Sequence, residues 1–257
     1  MGVKASCAVV TGGAKGIGLA IVERLAEDGW SVVAAGRDGA ALARATDALQ
    51  ERGFDVEGIR CDVTNEESVT NLFKVCGERY HWPDLLVNNA GIPGTTVATV
   101  ALPREDWDQV LAVNLTGAML CCRAVLPGML ERGSGHIVNI ASITGKRPLT
   151  NRVAYAASKL GLVGLTRSLA EEVGPAGIRV NAISPGPVFG DRIEGVLRGQ
   201  ASARGIAIEE ARAEFVAGSP LRRFVEAREV ADAVLALDGL TGVTGVDLNV
   251  AAGLVMY

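Results

Sequence analysis

Tyr155 and Lys159 stand four residues apart in Tyr155-Ala156-Ala157-Ser158-Lys159, a spacing that sets both on one face of a helix, one turn from each other. Carbonyl reduction needs a proton donor at the oxygen and a hydride donor at the carbon, and a phenol with an ordinary pKa of about 10 is a poor acid/base at neutral pH. A neighbouring ammonium favours the phenolate, and the positive ring of an oxidised nicotinamide acts in the same direction. Ser142 ends a short apolar run and offers a hydroxyl to hold the substrate oxygen. A tyrosine packed on its helix beside a solvated lysine has the same spacing, so the place of the pair in the chain must decide between the two.

A second group could hold the hydride donor. Thr11-Gly12-Gly13-Ala14-Lys15-Gly16-Ile17-Gly18 joins a β-branched run to an amphipathic one, where a dinucleotide-binding turn belongs. Gly12, Gly16 and Gly18 let the backbone approach a pyrophosphate, and the helix opening at Gly16 and Ile17 aims its unpaired N–H groups at those oxygens. A glycine-rich turn without a ligand is the bland alternative. A Walker-type phosphate loop is excluded, because Lys15 is followed by Gly16 and not by Ser or Thr.

The end of the second strand chooses the cofactor. An acidic residue there binds a free ribose 2′-hydroxyl and repels a 2′-phosphate. Here Gly36 takes that position and Arg37 follows, with Lys15 able to approach the same place, so the expectation is NADP(H) rather than NAD(H). Asp38 points the other way, and a solvated Arg37 would point nowhere.

These residues need a scaffold that brings distant loops together, and the chain reads as one. Short β-branched runs alternate with longer amphipathic ones: strands at 5–11, 31–35, 55–61, 85–88, 135–141, 178–184 and 246–250, and helices at 16–28, 40–52, 66–79, within 105–132, at 153–173 and at 227–237. Such a rhythm predicts an α/β fold, a single doubly wound, Rossmann-like domain over 1–257 with a mostly seven-stranded parallel sheet and its ligand crevice at the strands' carboxyl ends. Residues 190–219 break the rhythm and are expected to form a small helical lid.

Composition narrows the partners. A net charge of -4, with 25 Lys and Arg and no long basic run, argues against nucleic acid and for a small carbonyl or alcohol substrate. Five cysteines without a C-x-x-C pair and two histidines, His81 and His136, give no metal site, and reduced thiols suit the cytoplasm. No run reaches the roughly 18 apolar residues of a membrane span, so no membrane is expected.

Taken in order, Thr11 to Gly18, Asn88-Asn89-Ala90-Gly91, Asn114, Ser142, Tyr155/Lys159 and Pro185-Gly186 resemble the short-chain dehydrogenase/reductase family over nearly the whole chain. The resemblance implies that Tyr155 is the acid/base, that Ser142 positions the substrate oxygen, and that Lys159 binds the nicotinamide ribose. It implies that Asn114 holds a water relaying protons from Lys159, that Asp62 and Val63 flank the adenine, and that Asn89, Ala90 and Gly91 border the cofactor with Pro185 and Gly186. Where the family often has a Thr near the carboxamide this chain has Gly190, and the Val188 N–H is the expected substitute. Homo-oligomerisation, a tetramer before a dimer, is implied as well.

Pocket positions are expected at Ile92, Pro93, Gly94, Ile143, Thr144, Asn151, Pro187, Phe189 and Ile193, with Val196 on the lid. Arg192 and Arg198 could face the substrate or lie on a solvated helix face. Two other functions stay open at this point. A silent dinucleotide-binding regulator should lack Tyr155 or Lys159, and an epimerase or dehydratase of the extended family should be longer with a different glycine spacing.

Overall fold

The computed structural model describes residues 6–80 and 82–257. Seven strands, β1 (Cys7–Thr11), β2 (Ser31–Gly36), β3 (Val56–Arg60), β4 (Leu85–Asn88), β5 (Gly135–Ile140), β6 (Ile178–Pro185) and β7 (Asp247–Val250), form one parallel sheet in the order β3-β2-β1-β4-β5-β6-β7. The order reverses between β1 and β4, and the crevice of a doubly wound sheet opens at that switch point. Among the central strands, β1, β4 and β5 are almost wholly buried, as their Val, Ile and Leu content requires of strands covered on both faces.

Helices α1 (Gly16–Glu27), α2 (Gly39–Glu51) and α9 (Ala227–Gly239) share one apolar core with the sheet. On the other face lie α3 (Glu66–Arg79), α5 (Gly117–Arg132) and α6 (Val153–Val173). The expected 190–219 lid is α7 (Asp191–Arg204) and α8 (Ile208–Ala217), with a small core of Ile193, Leu197, Ala201 and Ala211. His81 and Ala5, named in the sequence, lie outside the described residues.

The helix expected within 105–132 is interrupted. It runs as α4 (Arg104–Leu111), a π-helical turn over Ala112–Thr116, and α5. By length and composition Arg104–Arg132 could cross a membrane, yet half of its most apolar stretch is buried inside the protein, where it packs as a core helix.

The amino-terminal end of β5 carries a buried histidine. Asn181 accepts from the Val246 N–H through Oδ1, so its amide nitrogen faces His136 Nε2 at 3.0 Å, and His136 Nδ1 therefore donates to Asp238 at 3.0 Å. Burial outweighs the Asp238 carboxylate, which Arg179 also shares, and the ring is held below the ordinary histidine pKa. Such a group binds fewer protons folded than unfolded, so its contribution to stability is present above the unfolded value of about 6.5 and is lost as the pH falls from there toward the lower folded value. On lowering the pH from about 7.5 to about 5.5, the urea midpoint of the wild type should fall further than that of His136→Gln. Parallel lines for the two proteins would contradict this role.

Candidate active site

The phosphate loop follows β1 and is built so that only glycine fits. Gly12 and Gly16 have φ of 67° and 57°, and a Cβ on Gly18 would stand 2.1 Å from the Gly12 carbonyl oxygen. The loop is tied to the end of β4: Asn89 Nδ2 donates to the carbonyls of Thr11 (2.9 Å) and Gly12 (3.2 Å), while the N–H groups of Asn89 and Ala90 both donate to Thr11 Oγ1 at 3.1 Å. Helix α1 starts with no side-chain cap and no acidic residue in its first turn. Its first N–H groups and the positive end of its dipole are thus left for an anion.

At the end of β2, Gly36 is followed by exposed Arg37 and Asp38. Asp38 caps α2, its Oδ1 accepting from the Ala41 N–H at 3.0 Å, so one of its two oxygens serves the helix. Arg60, which sequence reasoning missed, pairs in register with Gly36 and donates from Nε to the Arg37 carbonyl at 3.3 Å, adding a cation to this corner. Asp62 lies within the field of both arginines. Burial pushes its carboxyl up, but hydrogen bonds from the Thr64 N–H and hydroxyl, with the two arginine charges, hold it below the usual range. Val63 is buried against Gly117, where a Cβ would come within 2.7 Å of its methyl.

Ser142, Tyr155, Lys159 and Asn114 converge at the carboxyl end of β5. Lys159 is 3% exposed, donates to the Ile140 carbonyl at 2.7 Å, and stands 5.9 Å from the Tyr155 ring centre. Asn114, on the π-turn, accepts from the Ile92 N–H (2.8 Å) and donates to the Ile92 carbonyl (3.0 Å) and Ser158 Oγ (3.0 Å). Ser158 Oγ in turn donates to the Tyr155 carbonyl at 2.8 Å, so α6, the π-turn and the loop after β4 are one hydrogen-bonded unit. A Cβ on Gly91 would sit 3.2 Å from Asn114 Oδ1 and 3.5 Å from Lys159 Nζ, which places these groups side by side. Ser142 Oγ accepts from the Thr144 N–H at 3.1 Å, leaving its own proton for another acceptor.

Residues 6–196 match the family model for short chain dehydrogenases. The chain belongs to the short-chain dehydrogenase/reductase family and is an oxidoreductase. A putative ketoacyl reductase of Streptomyces coelicolor is 40% identical over 254 residues, 97% of each chain. An actinorhodin polyketide ketoreductase variant solved with NADPH superposes with a TM-score of 0.94 at 40% identity, covering 98% of both chains. An NAD+-bound xylitol dehydrogenase gives a TM-score of 0.94 at 32% identity over 97% of this chain and 99% of the other.

Around Ser142 and Tyr155 the expected pocket residues divide. The Pro93 carbonyl accepts from Arg152 Nη2 at 2.9 Å, and Gly94 (φ 67°) packs on Val110. Asn151, in the left-handed region at φ 63°, takes the Val97 N–H on its carbonyl at 3.0 Å. Thr144 is buried beside Ser142, and Phe189 is exposed. Ile143 turns instead into a cluster with Ala251 and Val255, and Ile193 with Val196 belongs to the lid's own core. Arg198 is exposed, and the side chain of Arg192 is not among those described. Arg152, also missed, is buried with its guanidinium 5.0 Å over the Tyr155 ring.

The Gly190 departure has a backbone reason. Its φ is 133°, a conformation L side chains rarely adopt, and its carbonyl accepts the first N–H groups of the lid helix. Pro187 and Phe189 both point their hydrogen-bonding groups at Val225, so in this extended stretch the Val188 N–H faces the opposite edge. Pro185 pairs in register with Val250, and Gly186 lies so close to Ala251 that a Cβ would be 2.8 Å from its Cα.

Proposed function

We propose that the protein reduces the keto group of a β-ketoacyl-type substrate with NADPH, with Tyr155 as the proton-transferring acid/base. The observation that carries the assignment is the buried Lys159 ammonium beside the Tyr155 ring, at the strand end that also holds Ser142. The uncapped start of α1 fits the pyrophosphate, and a β2 end with Gly36, Arg37 and nearby Arg60, with Asp38 capping α2, fits a 2′-phosphate. The names of the Streptomyces relative and of the actinorhodin ketoreductase support the substrate class.

NADPH, when bound, would supply the hydride for the carbonyl carbon. Ser142 donates its hydroxyl proton to the substrate oxygen as a hydrogen bond, and Tyr155 transfers a proton to that oxygen as charge develops there. Lys159 would hold the nicotinamide ribose and stabilise the tyrosinate that remains. With its side chain committed to Ile92 and Ser158, Asn114 serves a proton relay from Lys159 through its backbone carbonyl or the second lone pair of Oδ1. The five cysteines are buried, and burial raises the thiols of Cys61, Cys76, Cys121 and Cys122, with Cys76 and Cys122 pushed up to about 12. Such thiols suit a reducing cytoplasm.

We further propose a homotetramer. Met119, Val153 and Leu160 are apolar and exposed on α5 and α6, and Leu248, Met256 and Tyr257 are exposed near the β7 edge, so two separate faces are available for symmetric contacts. Light scattering should give the mass of four chains, and a monomer at micromolar concentration would reject it.

The cofactor assignment is tested with ethyl acetoacetate and NADPH deuterated at C4. One deuterium should appear on the carbinol carbon, and Arg37→Ala should weaken NADPH binding by about tenfold to a hundredfold, as expected for charge-assisted bonds to phosphate, with little effect on NADH. Equal affinity of the wild type for the two cofactors would overturn the choice of NADP(H).

A further inference from the structure

Behind Ser142 lies a part-buried ion pair that touches neither the phosphate loop nor the Tyr155 ring in any contact described. The turn Ser142–Lys146 is pressed from two sides. A Cβ on Gly145 would stand 2.9 Å from the Leu160 N, so the turn abuts α6 directly beside Lys159. From the opposite side Ile143 packs on Ala251 and Val255, with Leu254 against the same cluster. Lys146 then crosses to β7, its Nζ 2.7 Å from Asp247 Oδ2 and 2.5 Å from Asn249 Oδ1. The Asp247 side chain is 3% exposed and its other oxygen accepts from Ser184 Oγ at 2.6 Å. Asn249 completes the link, donating to the carbonyls of Val255 (3.3 Å) and Tyr257 (3.1 Å).

We infer that Lys146 and Asp247 are positioning residues for Ser142, and that residues 251–255 form the backing against which the turn is set. The inference rests on the role given to Ser142 above. With the carboxylate 3% exposed and the Lys146 side chain 13% exposed, the pair keeps this geometry only where both partners are held, and so it ties the β5 turn to β7. A hydroxyl that must meet a carbonyl oxygen tolerates little displacement, since a misplacement of about 1 Å can cost about 10²-fold in rate. Among the described residues the polar ties from the turn to the carboxyl-terminal segment both run from Lys146, to Asp247 and to Asn249, so the placement of Ser142 depends on that side chain.

The test is a cycle between the pair and Ser142, followed with ethyl acetoacetate and NADPH. Lys146→Met/Asp247→Leu removes both charges together, which avoids stranding one, and Lys146→Arg keeps the pair. The paired variant should unfold cooperatively and bind NADPH within about twofold of the wild type, yet lose at least about tenfold in kcat/KM, while Lys146→Arg stays near wild type. In a Ser142→Ala background the same paired substitution should change kcat/KM by less than about twofold, because its effect runs through the missing hydroxyl. Should the paired variant fail to fold, Lys146→Gln, which keeps a donor for Asp247 on a shorter reach, carries the same cycle. An equal loss in both backgrounds, or no loss in a folded variant, overturns the inference and leaves the role of Ser142 intact. A fully active Ser142→Ala instead overturns that role, and the inference with it.

Discussion

The ammonium of Lys159 is the constraint around which the site is built. Removing a charge from water costs several kcal/mol unless hydrogen bonds and counter-partners compensate, and Lys159 is 3% exposed. Its bond to the Ile140 carbonyl anchors it to the last residue of β5, two residues before Ser142. Tyr155 is one helical turn away, so the phenol and the hydroxyl are positioned from the same strand end. On the third side Gly91 leaves room that any larger residue would fill, and Asn114 holds the backbone of Ile92 beside it. A buried cation, a sheet carbonyl, an amide on a π-turn and a glycine thus fix one another, and Tyr155 gains its place as a consequence.

Rigidity is distributed unevenly to match. The sheet and the six helices flanking it share two continuous cores, and the phosphate loop is held to β4 through Thr11 and Asn89. The α7–α8 lid has a separate core and joins the body through Gly190, a residue in an unusual backbone conformation. Arg204 with Glu214 and Arg212 with Glu194 tie its two helices together across exposed pairs that add specificity of arrangement more than stability. The phosphate loop therefore lies on the part of the molecule that shares the main cores, while α7 and α8 pack on a core of their own and reach the body through bonds such as Gln200 Nε2 to the Thr150 carbonyl at 3.0 Å.

Much of this was legible in the sequence because it rests on periodicity and glycine. Helices at Glu66–Arg79 and Val153–Val173 and the strand at Leu85–Asn88 begin and end where the patterns change. The α/β fold, the oxidoreductase class and the family followed from motifs whose spacing reflects contact with the sheet ends. The π-turn at Ala112–Thr116 was hidden, because a five-residue wider turn scarcely disturbs the apolar pattern of the run that contains it. Asp38 looked like an adenosine ligand because its commitment to the Ala41 N–H is a matter of rotamer, not of spacing. Arg60 and Arg152 were missed for a different reason: each reaches its partner across strands or loops distant in the chain. The inward turn of Ile143 depended on Ala251 and Val255, which only the tertiary structure brings to it.

The most direct test separates binding from chemistry at Tyr155. Substituting phenylalanine keeps the ring that Arg152 and Lys159 approach and deletes the one proton the mechanism requires. With cofactor affinity measured by fluorescence and turnover measured on a ketone that the wild type reduces, Tyr155→Phe should bind NADPH almost unchanged and lose about 10² to 10⁴-fold in kcat, the range expected for general acid catalysis. Retention of more than about a tenth of the wild-type rate, where chemistry limits turnover, would show that the proton comes from elsewhere.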